Sequence, residues 1–95
     1  MSQKKYQAKE TFIHRKVAGS DVLISVGENI ANFNGYITLN PSAAYIWDTL
    51  KEPKTVDEVA NALIHEFEVT AEEAAEHTTE FIDDLLEHDM IVSID

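Results

Sequence analysis

Hydrophobic and polar positions change their period once along this chain, which divides it into an extended first half and a helical second half. Through about Glu10 the sequence is polar, with Lys4, Lys5 and Lys9, and predicts a mobile or edge segment. Phe12 to Val17 then predicts a strand, and Ala18-Gly19-Ser20-Asp21 a turn. Val22 to Val26 is the clearest β-branched run, closed by Gly27-Glu28-Asn29. A third extended region spans Ile30 to Leu39, broken by Asn34-Gly35 as a tight turn or a bulge, with Tyr36-Ile37-Thr38-Leu39 its best-defined part.

The change to helical period comes at Asn40-Pro41. An Asn side chain accepts from the free N–H groups of a first turn, and Pro suits the first helical position. Ala43, Ala44, Ile46, Trp47 and Leu50 make one apolar face. After a loop at Glu52-Pro53-Lys54, Thr55-Val56-Asp57-Glu58 has the spacing of a capping box. Val56, Val59, Ala60, Leu63, Ile64 and Phe67 follow at helical period. Thr70-Ala71-Glu72-Glu73 is a second capping box, with Val69 placed to staple against Ala74. The helix it opens carries Ala74, Ala75, Thr78, Phe81, Ile82, Leu85 and Leu86 on a broad apolar side. Ile91, Val92 and Ile94 then predict a short terminal strand that pairs with the sheet or covers its edge. The expected fold is therefore α+β: three strands, three helices and a C-terminal strand, in one domain over residues 1–95 with 1–10 flexible.

Charge sharpens the picture. Residues 1–51 hold six Lys/Arg against four acids, whereas residues 52–95 hold Lys54 against fourteen, so the halves carry +2 and −13 of the net −11. Nucleic-acid binders need a basic stripe to displace counterions, and the helical half offers the opposite sign. A neutral or basic partner is favoured, although acidic helix faces also keep a small protein soluble. No cysteine is present, which excludes disulfides and thiolate chemistry and fits a reducing cytoplasm. No apolar run approaches the roughly 20 residues of a membrane span.

Candidate chemistry is sparse. His77, Glu80 and Asp84 share a helix face and form a legitimate metal-ligand set, but acidic helices produce such triplets by chance, and the set reads as solvated surface. His14, His65 and His88 are isolated, with no serine or cysteine beside a base. Gly19, Gly27 and Gly35 are scattered, so there is neither a phosphate loop nor a dinucleotide fingerprint. Trp47 lies among core positions. The apolar stripe of the third helix is wider than one sheet face requires, which marks a partner site, unless the surplus covers the second helix or a dimer contact. No catalytic residue and no cofactor is expected.

Leu39-Asn40 followed by Ala43-Ala44 and Ile46-Trp47, then Thr55-Val56-Asp57-Glu58-Val59-Ala60 with Leu63, then Phe81-Ile82 with Leu85, form an ordered set. In that set the sequence, from about Phe12 to Val92, resembles the PqqD-like family, the recognition elements of ribosomally made, post-translationally modified peptides. Glycine is common in that family near position 89, where this chain has Asp89-Met90. The resemblance implies a winged-helix-like domain, a three-stranded antiparallel sheet against three helices, that binds a precursor's leader without catalysis. The leader would add to the edge formed by Tyr36, Ile37, Thr38 and Leu39. Thr78, Phe81, Leu85 and His88 would form the helix wall, and Asp84 would receive a basic residue. The implied partners are the leader peptide and a modifying enzyme, in this family often a radical S-adenosylmethionine protein. The rival readings are a winged-helix nucleic-acid binder, disfavoured by Glu72, Glu73, Glu76, Glu80, Asp83, Asp84 and Glu87 on the would-be recognition helix, and a homodimeric structural subunit.

Overall fold

The computed structural model describes residues 4–25 and 36–94. Its elements are β1 (Lys5–Ala8), β2 (Phe12–Val17), β3 (Ser20–Ser25), β4 (Tyr36–Leu39), α1 (Pro41–Thr49), β5 (Lys54–Thr55), α2 (Val56–Glu66), α3 (Ala71–Glu87) and β6 (Ile91–Ile94). The α+β arrangement read from the sequence is present, a three-stranded antiparallel sheet with three helices and a C-terminal strand. Residues 30–35 of the expected third strand, with the Asn34-Gly35 turn, and the Gly27-Glu28-Asn29 closure lie outside the described residues.

Among the described residues the strands form two sheets where one was expected. The first has the order β2-β3-β4. Its opening hairpin turns on Ala18 and Gly19, both at positive φ (52° and 83°), with Val17 opposite Ser20. Positive φ at both central residues is the type I′ turn whose twist suits a hairpin, so β3 begins at Ser20 rather than Val22. The second sheet has the order β5-β1-β6. The polar N-terminal stretch expected to be mobile or at an edge supplies its central strand: Lys5 lies opposite both Thr55 and Ile94, and β1 pairs with β6 down to Ala8 opposite Ile91. The terminal strand thus pairs with β1 and not with the first sheet. Further bonds tie β1 and its end to the body, Ala8 N–H to the Leu50 carbonyl at 2.8 Å and Lys9 N–H to that of Met90 at 3.1 Å.

Each helix starts as its sequence dictates. Asn40 Oδ1 accepts from Ala43 N–H at 2.8 Å, and Pro41 opens the first turn of α1. Thr55 and Glu58 exchange side-chain and backbone bonds across the start of α2, and Thr70 and Glu73 do the same for α3. The bonded backbone N–H groups of Thr55 and Thr70 hold the Glu58 and Glu73 carboxyls below the usual carboxylate range. Trp47, 1% exposed, sits at the centre of the core with Leu23, Ile46, Leu50, Val59, Leu63, Ile82 and Met90. Phe12 meets it edge-on at 6.3 Å, and Tyr45 meets Phe67 edge-on at 5.8 Å.

The end of α3 settles the departure at position 89. Asp89 takes the left-handed conformation (φ 59°) in which glycine is favoured. Its N–H bonds the Leu86 carbonyl at 3.1 Å, and Met90 N–H bonds that of Leu85 at 2.9 Å. These two bonds are those of a Schellman motif, with Leu85 and Met90 as its hydrophobic pair, both buried. Asp89 therefore does glycine's work and carries a steric cost.

Candidate functional site

Strand β4 pairs with β3 on one side only, and among the described residues its other edge has no partner. Which of its backbone groups face outward follows from the hairpin. A two-residue turn closes on a hydrogen-bonded pair, here Val17 and Ser20, and bonded pairs alternate along an antiparallel ladder. Ser20, Val22 and Ile24 therefore bond to β2, and Asp21 and Leu23 bond to β4. Their partners are Leu39 and Ile37. Tyr36 and Thr38 are left with N–H and C=O groups directed at the open edge.

Side chains alternate in the same way. Ile37 and Leu39 face α3, and with Leu23, Phe81, Leu85 and Met90 they enclose an apolar depression of about 200 Å³ that Asp84 and His88 complete at the rim. Leu23, Leu39, Leu85 and Met90 are buried and make its floor, while Phe81 and Ile37 are half-buried. His88 is exposed and fixed by its Nδ1–H, which donates to the Asp84 carbonyl at 2.9 Å. Free strand edge and apolar floor thus lie side by side.

Of the nine residues singled out in the sequence, Ile37, Leu39, Phe81, Asp84, Leu85 and His88 line this one depression, and Tyr36 and Thr38 belong to its strand edge. Thr78 does not join them. It is fully buried, and its Oγ1 has no hydrogen-bond partner among the described residues, so it belongs to the interior of α3 and not to a wall. Thr78 stands in line with the buried Ala74, Ile82 and Leu85, whereas Phe81 lies beside that line and is half-buried. The surplus of the stripe emerges instead at Leu86, which is 38% exposed.

A second depression, about 330 Å³, adjoins the first through shared Phe81 and Asp84, and His77, Glu80 and the start of α1 complete it. His77, Glu80 and Asp84 are all exposed, and no group of three or more ligands arranged to hold a metal occurs among the described residues.

Sequence reasoning gave no role to His14. Its Nδ1 lies 2.9 Å from Asp48 Oδ1 on α1 and its Nε2 lies 2.9 Å from Asp21 Oδ1 on β3. Burial opposes the charged ring, but the hydrogen bonds to Asp21 and Asp48, and their negative charges, outweigh it and raise the pKa above the ordinary 6.5. Only the imidazolium donates to both carboxylates at once. His14 thereby clamps the sheet that carries β4 onto α1. Partners 7 and 34 residues away left no local signal.

The family model described as Coenzyme PQQ synthesis protein D (PqqD) matches residues 14–91. Two solved structures share the fold. TbiB1, in complex with the TbiA(beta) leader peptide, superposes with a TM-score of 0.69 at 18% identity over 90% of this chain and 93% of its own. Lasso peptide synthetase B1, complexed with the leader peptide, gives 0.70 at 22% identity over 92% and 96%. No curated protein matches the sequence.

Proposed function

The chain belongs to the PqqD family, and from that premise we propose that it binds the leader of a ribosomally made precursor peptide by strand addition and presents it to a modifying enzyme. The observation that carries the proposal is the open edge of β4 set beside the apolar depression against α3. An extended peptide would pair with the outward groups of Tyr36 and Thr38 and lower an apolar side chain between Ile37, Phe81 and Leu85. Both solved structures hold leader peptides, which supports the same role here.

Binding is the whole chemistry in this reading, and the reaction belongs to the partner enzyme, for which a radical S-adenosylmethionine protein is our proposal. Eight of the nine residues from Tyr36 to His88 named in the sequence are proposed as the peptide site, and the buried Thr78 as its support. The protein is proposed to act in the cytoplasm as one recognition domain; no helix among the described residues is long and apolar enough to cross a membrane.

The test is an amide NMR titration of the full chain with the N-terminal peptide encoded by a short reading frame beside the gene, at two salt concentrations. Shifts at residues 36–39 and 81–90 are the expected result. Shifts confined elsewhere, or a self-association that saturates the β4 edge before peptide is added, would overturn it.

A further inference from the structure

The two depressions along α3 are not the end of the groove. The one beside β4 shares Phe81 and Asp84 with the one at the start of α1. That one in turn shares Asn40, Ser42 and His77 with a third, about 410 Å³, lined by Leu63, Phe67 and Val69 at the end of α2. The run follows the chain direction of β4, because Leu39 leads directly into Asn40, and it passes α3 from Leu85 back toward Val69. Its two ends are apolar. Its middle carries Glu80 and Asp84, whose exposed carboxylates have no salt bridge among the described residues.

We infer that this trough is one continuous peptide site with two apolar subsites and an acidic step between them. The inference rests on the peptide-binding reading and deepens it by stating the ligand's pattern. Leu85 and His77 are eight residues apart on a helix, about 12 Å. An extended chain covers that distance in about four residues. The ligand is therefore an extended peptide in which two bulky apolar residues stand four positions apart, so that both face the trough, with Lys or Arg between them. The basic residue matches Glu80 and Asp84, and it matches the −13 carried by residues 52–95. The second subsite gives the protein a means of choosing among peptides that all pair equally well with a strand edge.

The experiment selects displayed random 12-residue peptides on the labelled full chain. The enriched sequences are then measured as synthetic peptides by fluorescence polarisation and mapped by amide shifts. Two apolar positions at the stated spacing around Lys or Arg are expected. Alanine at the second of them should weaken binding about tenfold, the effect of removing one partly buried Leu-sized side chain. His77→Trp, at an exposed helix position, should obstruct the passage and abolish the second residue's contribution while sparing the first. Val69→Ala should reduce the same contribution without filling the space. If the selected peptides shift residues 36–39 but carry one apolar anchor and ignore His77→Trp, the inference is overturned and the peptide-binding reading stands. If they leave residues 36–39 unshifted, both fall.

Discussion

Thr38→Pro separates the open edge of β4 from the ladder that builds the sheet. The Thr38 N–H points away from β3, so proline there removes a donor that has no partner among the described residues, and edge strands tolerate proline on that side. Thr38 is exposed, with the buried Val22 as its cross-strand neighbour, which a proline ring can still cover. The fold should lose less than about 1 kcal/mol. Bound peptide loses one hydrogen bond, about 0.5–1.5 kcal/mol, and meets the ring's bulk in addition. An affinity loss of tenfold or more follows, since about 1.4 kcal/mol is a factor of ten. Ile37→Pro is the opposite case, because its N–H bonds to Leu23 across the ladder, and it should lower the thermal transition markedly. The assay pairs isothermal titration with the leader peptide and a thermal melt of each variant. Undiminished affinity in a folded Thr38→Pro protein, or an Ile37→Pro protein that melts like the wild type, would refute the assignment of the edge.

Asp89→Gly should stabilise the protein by about 0.5–1 kcal/mol, some 2–8 °C in Tm. It relieves the left-handed strain and removes a negative charge from the α3 C-terminus, at the loss of a 2.9 Å ion pair to Lys9 on a carboxylate that is 88% exposed. Asp89→Ala, which keeps the strain, should melt below the wild type; equal melting of the two variants would show that the conformation is not the cause. Thr78→Val should raise stability by about 1 kcal/mol in chemical denaturation, because it replaces a buried, unpartnered hydroxyl with a methyl of the same shape, and a loss would mean that the hydroxyl finds a partner in solution. For His14 the folded pKa lies above the unfolded 6.5. Its stabilisation is therefore complete below pH 6.5 and disappears as pH rises through the folded value. The Tm difference between wild type and His14→Asn should accordingly shrink between pH 6 and pH 8, and a constant difference would exclude the clamp.

The helical half was legible because its signals are local. Asn40-Pro41, Thr55 to Glu58 and Thr70 to Glu73 each satisfy their own helix start, and the structure places all three where the spacing predicts. Strand β1 was not legible, since the alternation of Lys5-Tyr6-Gln7-Ala8 runs for only four residues inside a lysine-rich polar segment. It is a strand because β5 and β6 flank it and the Leu50 carbonyl accepts its last N–H. The site divided along the same line. Ile37, Leu39, Phe81 and Leu85 could be named from their places on predicted elements, whereas the depth of Thr78 depends on how α3 is rotated against α2. The apolar side of α3 is broad, from Ala74 to Leu86, and its composition does not say which part of that width faces α2 and which faces the groove.

The geometry also divides the work of recognition between strand and helix. Tyr36 and Thr38 together offer two donors and two acceptors, and at about 0.5–1.5 kcal/mol net each they contribute about 2–6 kcal/mol. Association alone costs about 4–15 kcal/mol in lost freedom of motion, so backbone pairing by itself leaves little or no net affinity. An apolar side chain seated between Ile37 and Phe81 adds about 1.5–3 kcal/mol, and a cation beside Asp84 adds a smaller, salt-dependent share. The strand edge therefore makes extended peptides in general eligible, and the surplus that binds one of them comes from α3. Substitutions that remove the outward backbone groups of β4 should weaken every ligand alike, while those at Phe81, Asp84 or His77 should change which ligand is preferred. A panel of peptides differing in one apolar and one basic position, measured against Thr38→Pro and Phe81→Ala, distinguishes the two effects: parallel losses from both variants would show that the helix wall has no selective role.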